Sequence, residues 1–280
     1  MATVTDTTVR RRLRKSRDPE GRMSLGGHLR ELRNRLTVAG LAVMVTGSLG
    51  WIYYSPLLER LEAPIIKVAH ERHSQLTGLN FSGSGVTGPF SVKLKVAIFV
   101  GLLLASPIWI YQIWAFVVPG LTRREKRFAM AFVAASVPLF FAGAYLAWLS
   151  FPKAVTTLLE LTPKGGISII DAESYLTFLT RFILAFGLAF LLPVLMVGLN
   201  LAHVLPGRLL LKGWRMAIFL ISLFAAVMTP SPDPWSMIIM AIPMVVLFFV
   251  AVGIALLVDR HRARRAPQFG DLSDDEASPL

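Results

Sequence analysis

The chain has 280 residues, of which 54% are hydrophobic and only 16% charged, and its mean hydropathy is +0.60, whereas a soluble domain carries about 25% charged residues. Its net charge of +12 is gathered into blocks between long apolar runs, the pattern of a polytopic membrane protein rather than of a nucleic-acid binder. There is no cysteine, so disulfides, thiol nucleophiles and cysteine-ligated metals are excluded.

Residues 1–22 are polar and arginine-rich, without the apolar core of a cleaved signal peptide, and read as a disordered basic cytoplasmic tail. MSLGGHLRELRNRL follows, with Ser24 as a possible helix cap. Leu25, Leu29, Leu32 and Leu36 recur at helical spacing and make one stripe. His28, Glu31 and Arg35 make the adjacent stripe, with Arg30 and Arg33 on the other side. The pattern predicts an amphipathic helix lying at the cytoplasmic interface, leucines toward lipid or the bundle.

Six runs are apolar enough to be membrane spans at about 20 residues each: Leu36–Tyr54, Val96–Val118, Phe128–Phe151, Tyr175–Leu199, the short Trp214–Met228, and Trp235–Val258. The fold class is therefore all-α integral membrane, with residues 23–258 as the transmembrane domain and 259–280 as a second disordered tail. Lysines and arginines number 21 on the face carrying both termini and 7 on the other, which predicts cytoplasmic termini. Pro107, Pro138, Pro193 and Pro243 lie within or near the ends of spans; each frees a backbone carbonyl and invites a kink, so a curved, concave assembly is expected. Arg181 falls inside the fourth span, either snorkelling to the outer interface or paired with Asp171, Glu173 or Asp233.

The second notable stretch is FVVPGLTRREKRFAM, where Glu125 stands among Arg123, Arg124, Lys126 and Arg127. On the simplest reading Glu31 and Glu125 make local ion pairs, worth about 0–1 kcal/mol when exposed. Alternatively, both carboxylates lie on one cytoplasmic face, and two carboxylates there could read a pair of arginines on a partner. A guanidinium binds a carboxylate through two parallel hydrogen bonds with a specificity that lysine lacks.

HLRELRNRL (28–36), EAPIIK (62–67), FSVKLKVAIFVGLLLASPIWIYQIWAFVVPGLTRREKR (90–127), ESYLTFLTRFILAFGLAFLLPV (173–194) and MTPSPDPWSMIIMAIPM (228–244) together resemble the TatC family, the multispanning receptor subunit of the twin-arginine protein translocase. The resemblance implies six kinked transmembrane helices in a glove-like concave fold in the bacterial plasma (inner) membrane. It implies binding of twin-arginine signal peptides of folded cargo, single-span partners of the TatA and TatB type, self-association within a complex, and export driven by the proton motive force, with no cofactor. Glu31 and Glu125 match the family's twin-arginine ligands, and Phe116 matches a loop aromatic associated with signal recognition. His28, Leu25, Leu32 and Arg33 fit the N-terminal motif in supporting positions. Pro64 matches a structural proline of the first outer loop, and Asp233 an acid of the last one; Thr229 and Met237 fall on the partner-docking edge. The chain departs from the pattern at Leu191, where many members place a carboxylate or amide ahead of the proline, and at Met237, a place a polar residue can occupy in relatives.

Two other functions compete. A secondary transporter of small solutes or ions would want midplane charges and repeats, and the spans here are nearly free of acids. An intramembrane enzyme would need a nucleophile–base pair or metal ligands in the spans; there is no HExxH, GxSxG or phosphate-binding GxxxxGK[ST] motif, and His70 and His73 lie in an outer loop.

Overall fold

The computed structural model describes residues 25–71, 79–80, 85, 87–117, 123–160, 170–201, 204–228 and 234–265; within these, the side chains at 25, 67–71, 117, 123–129, 158–160, 235–236, 239 and 265 lie outside the description. The expected tail 1–22 also lies outside it, as does 266–280; the first seven residues of the expected tail 259–280 are instead the last turns of a helix that ends at Arg265. The chain forms α1 (Leu25–Ile52), α2 (Tyr54–Glu71), α3 (Gly88–Leu104), α4 (Ser106–Val117), α5 (Arg123–Glu160), α6 (Ala172–Ala189), α7 (Leu192–Leu201), α8 (Gly207–Lys212), α9 (Trp214–Met228) and α10 (Pro234–Arg265).

By length and composition α1, α5, the α6–α7 pair and α10 can each cross a membrane, and α3 with α4 makes a fifth, broken crossing bent by 60°. The 15-residue α9 is apolar but short. Among the described residues, four crossings, or five counting the bent pair, therefore stand where the sequence suggests six.

Helix α1 corrects one expectation. The N-terminal motif does not form a separate interfacial helix: it continues without a break into the first span, because nothing between Leu25 and Ile52 removes an amide donor or ends the repeat. Its leucines face outward, Leu29 at 65% and Leu36 at 69% exposure, while the neighbouring stripe turns toward α4. The prolines divide. Pro107 accompanies the bend at Ala105, where the carbonyl of Leu102 accepts the Trp109 indole N–H at 2.8 Å. Pro193 follows the break at Phe190 and Leu191, where the Leu191 N–H reaches back only three residues to Leu188. Pro138 and Pro243 sit inside continuous helices and do not interrupt them.

Successive elements run back and forth between two ends. The start of α1, the end of α4, the start of α5, the end of α7, α8 and the end of α10 share one end, rich in cations. The other holds α2, the start of α3 and the start of α6. The core at this second end gathers Phe151, Phe178, Phe182 and Phe186 in tilted and edge-on contacts with centroids 4.9–5.8 Å apart. Leu61, Pro64 and Ile65 of α2 are buried there, and the Tyr175 hydroxyl donates to the Leu61 carbonyl at 2.9 Å.

Two close approaches fix the helices that matter for the site. A Cβ on Gly101 of α3 would lie 2.7 Å from the Val43 carbonyl oxygen of α1, so only glycine lets the two backbones touch. Thr46 fastens the same crossing, its hydroxyl donating to the Gly101 carbonyl at 2.9 Å. At the cationic end the Trp114 ring of α4 lies on Gly198 of α7, where a Cβ would sit 2.3 Å from it, and the Trp114 indole donates to Ser136 of α5 at 3.1 Å.

Candidate functional site

These anchors leave one face of α4 for the start of α1. Ile110 and Trp114 are buried toward α5 and α7. Gln112 and Phe116, one helical turn apart on the opposite face, meet the His28–Glu31–Arg35 stripe. The His28 imidazole stacks on the Phe116 ring with centroids 4.5 Å apart and planes 20° from parallel. One turn further along α1, Glu31 Oε1 accepts both Nε of Arg35, at 3.0 Å, and its Nη2. The remaining arm of the guanidinium, Nη1, donates to Gln112 Oε1 at 3.3 Å. The Arg35 and Glu31 side chains are 24% and 23% exposed, a partly shielded pair rather than a free surface one.

The chemistry follows from this arrangement. Glu31 Oε1 takes both bonds from Arg35, and among the described residues Oε2 accepts none. The group is an anion with open lone pairs, flanked by an aromatic platform. That combination suits a planar cation, which can pair with the carboxylate and stack on a ring. Of the residues singled out by sequence, His28, Glu31 and Phe116 come together here. Arg33 does not: its side chain is exposed on another face of α1. Glu125 has its backbone on the first turn of α5, and its side chain lies outside the description. Six residue steps from Val117 to Arg123 reach at most about 21 Å, which keeps that turn at the same end of the molecule as Phe116. Pro64 is buried in α2 at the opposite end, Met237 is partly buried on the first turn of α10, and Thr229 and Asp233 lie outside the described residues.

Arg181 is exposed on α6, and among the described residues it makes no ion pair. Two of its suggested partners are engaged elsewhere. Asp171 caps α6 by accepting from the Ser174 N–H at 2.9 Å. Glu173 accepts from Lys95 at 2.6 Å and from Ser91 at 2.9 Å. Leu191 is half-buried and packs against the cluster of Ile110, Trp114, Phe140 and Val194.

Sequence reasoning overlooked Gln112, although a lone amide in SPIWIYQIWAFV was a signal. It also overlooked a clasp at the cationic end. Asp259 of α10 accepts from Asn200 Nδ2 at 3.0 Å and from the Gly207 N–H at 2.7 Å, and Arg262 donates to the carbonyls of Asn200 and Leu201 at 3.0 and 2.7 Å.

The fold and site together define a multi-pass helical membrane protein with a partly shielded carboxylate–arginine pair at one end of its bundle. Residues 27–243 match the family described as Sec-independent protein translocase protein (TatC). The chain is 44% identical over 244 residues to the TatC protein of Xylanimonas cellulosilytica, covering 87% of each. It is 38% identical to that of Frankia casuarinae, covering 93% of this chain and 74% of the relative. A crystal structure of the twin-arginine translocase receptor TatC superposes with a TM-score of 0.66 at 29% identity, covering 83% of this chain and all of that one. The chain belongs to the TatC family. It is a receptor subunit of the twin-arginine protein translocase and not an enzyme.

Proposed function

We propose that this chain reads the arginine pair of twin-arginine signal peptides, carried by folded cargo, with Glu31 and Glu125. The signal docks at the cytoplasmic face of the bacterial plasma membrane. The observation that carries this reading is the pairing of Glu31 with a guanidinium beside the His28–Phe116 stack: the carboxylate already holds the kind of group it is proposed to recognise. Glu125, on the first turn of α5, supplies the second carboxylate. The cations around it, Arg123, Arg124, Lys126 and Arg127, keep it ionised and repel basic peptides that cannot form the forked pair.

On this reading both termini are cytoplasmic and α9 completes a sixth crossing, through a locally thinned bilayer. Single-span TatA- and TatB-type subunits dock near α9 and the start of α10, around Thr229, Asp233 and Met237, and further copies of the chain join the complex. Translocation then draws on the proton motive force, with the pore built from other subunits. Pro64 holds α2 in the shape that closes the opposite end.

The test is a titration of a labelled twin-arginine signal peptide against the full chain in detergent or nanodiscs. Glu31→Gln and Glu125→Gln are each expected to weaken binding about 10- to 100-fold, the loss of one charge-assisted pair. A lysine–lysine peptide is expected to bind the wild type as poorly. Equal binding by all variants and both peptides would overturn the reading.

A further inference from the structure

Resting on that reading, we infer that Arg35 is a built-in competitor for the signal: its guanidinium occupies Glu31 in the empty receptor and must give way when an arginine of the peptide arrives. Glu31 has no other cation on it among the described residues, and both bonds to it come from this one side chain. Nε and Nη2 of Arg35 converge on one oxygen and leave the other open, so the pair is not the parallel two-oxygen fork. An incoming guanidinium that pairs through two parallel bonds needs both carboxylate oxygens, and Arg35 holds Oε1.

Gln112 makes the exchange workable. It holds Arg35 by Nη1, an arm that Glu31 does not use. When the peptide takes Glu31, Arg35 keeps this partner on α4 and is not left unpaired. Arg35 also sits one turn along α1 from Glu31, so it cannot leave the neighbourhood. The competitor is therefore always present at high effective concentration. Only a ligand that brings two arginines, one for each carboxylate, offsets it, while a peptide with a single arginine faces the same competitor with half the gain.

The arrangement makes a prediction of opposite sign to an ordinary structural role. If Arg35 merely stabilised α1, removing it would weaken binding. As a competitor, its removal frees Glu31 and raises the fraction of receptor ready to bind, which lowers the apparent Kd by that fraction.

The experiment titrates a labelled twin-arginine peptide, and the same peptide with one arginine changed to lysine, against purified full-length wild type, Arg35→Gln, Arg35→Lys, Arg30→Gln and Glu31→Gln. Arg30 is exposed on another face of α1 and controls for the general loss of one positive charge. Arg35→Gln is expected to bind the twin-arginine peptide about two- to five-fold more tightly, and the single-arginine peptide more tightly by at least the same factor. Arg35→Lys keeps the charge without the guanidinium and is expected to fall between it and wild type, and Arg30→Gln is expected to match wild type. Unchanged or weaker binding by both Arg35 variants would overturn the inference, and so would equal tightening by Arg35→Gln and Arg30→Gln, which would mark a general charge effect. If Glu31→Gln binds like wild type, the proposed recognition by Glu31 itself fails, and this inference with it. If Glu31→Gln weakens binding while the Arg35 variants do not tighten it, the recognition stands and only the competitor falls.

Discussion

Glu62, on α2, shows how single charges are tolerated where the membrane domain meets water. Its carboxyl is held above the ordinary carboxylate range, chiefly by burial and then by the nearby charge of Glu59. A raised carboxyl pKa means that the folded protein binds the proton more tightly than the unfolded chain does. Stability is then lost as pH rises through the interval between the two values. Glu62→Gln is accordingly expected to raise the unfolding temperature in detergent at pH 7 and to leave it unchanged near pH 3, below the ordinary carboxylate range, where the glutamate is protonated in both states. Thermal scans at the two pH values check this, and equal shifts at both would contradict it. Glu173 shows the other solution: it lies among Lys95, Ser91 and their hydrogen bonds and so is paired where it stands. At this scale much of the site could be read in advance. The His28–Glu31–Arg35 stripe follows from helical spacing alone, and it does face one neighbour. What spacing could not give was the neighbour. Gln112 and Phe116 lie 77 and 88 residues further on from their partners, and only the tertiary fold brings them there.

Among elements, the crossing of α1 and α3 sets the geometry of the recognition end. Where Gly101 meets Val43 and Gly47 the backbones touch, and α4 continues from α3 through the 60° bend, so the angle of this crossing decides where Gln112 and Phe116 lie relative to α1. Gly101→Val is expected to force the helices apart, costing about 1–3 kcal/mol in overpacking and moving Phe116 off His28. Thermal stability and signal-peptide affinity are expected to fall together, and a variant with wild-type values for both would contradict the assignment. The prolines teach a narrower lesson about legibility. Four of them promised kinks, but breaks formed only near Pro107 and Pro193. At the first, a Trp109 indole was available for a backbone carbonyl, and at the second a tighter turn took up the slack. Pro138 and Pro243 lie within long helices packed along neighbours, where the cost of one lost hydrogen bond is borne without a break. Sequence marks where a helix can bend; packing decides whether it does.

For the whole molecule, the alternating course of the helices gathers the cation-rich loops at one end, and the same end holds the Glu31 site, the first turn of α5 and the Asn200–Asp259–Arg262 clasp. The clasp ties the end of α7, the start of α8 and the end of α10 together, so α10 runs seven residues past the Val258 limit suggested by hydropathy. Hydropathy could not foresee this, because DRHRARR reads as a solvated tail until Asp259 and Arg262 find partners on α7 and α8. Asp259→Ala leaves the Gly207 N–H without its acceptor and the Asn200 amide with only the Leu205 carbonyl, at a cost of about 1–3 kcal/mol. Faster tryptic cleavage after Arg208 is the expected result, and an unchanged cleavage rate would speak against the clasp.

The central claim, that a signal arginine docks on Glu31 beside the Phe116 ring, is tested most directly by placing a photoreactive benzoyl-phenylalanine at Phe116, which keeps an aromatic ring there, and a second at Phe219 on the exposed face of α9 as control. In membranes given a twin-arginine signal peptide, crosslinking at position 116 and not at 219 is the predicted result, abolished by Glu31→Gln or by a lysine–lysine signal. Crosslinking at 116 that persists unchanged with the lysine signal and without the glutamate would contradict the account.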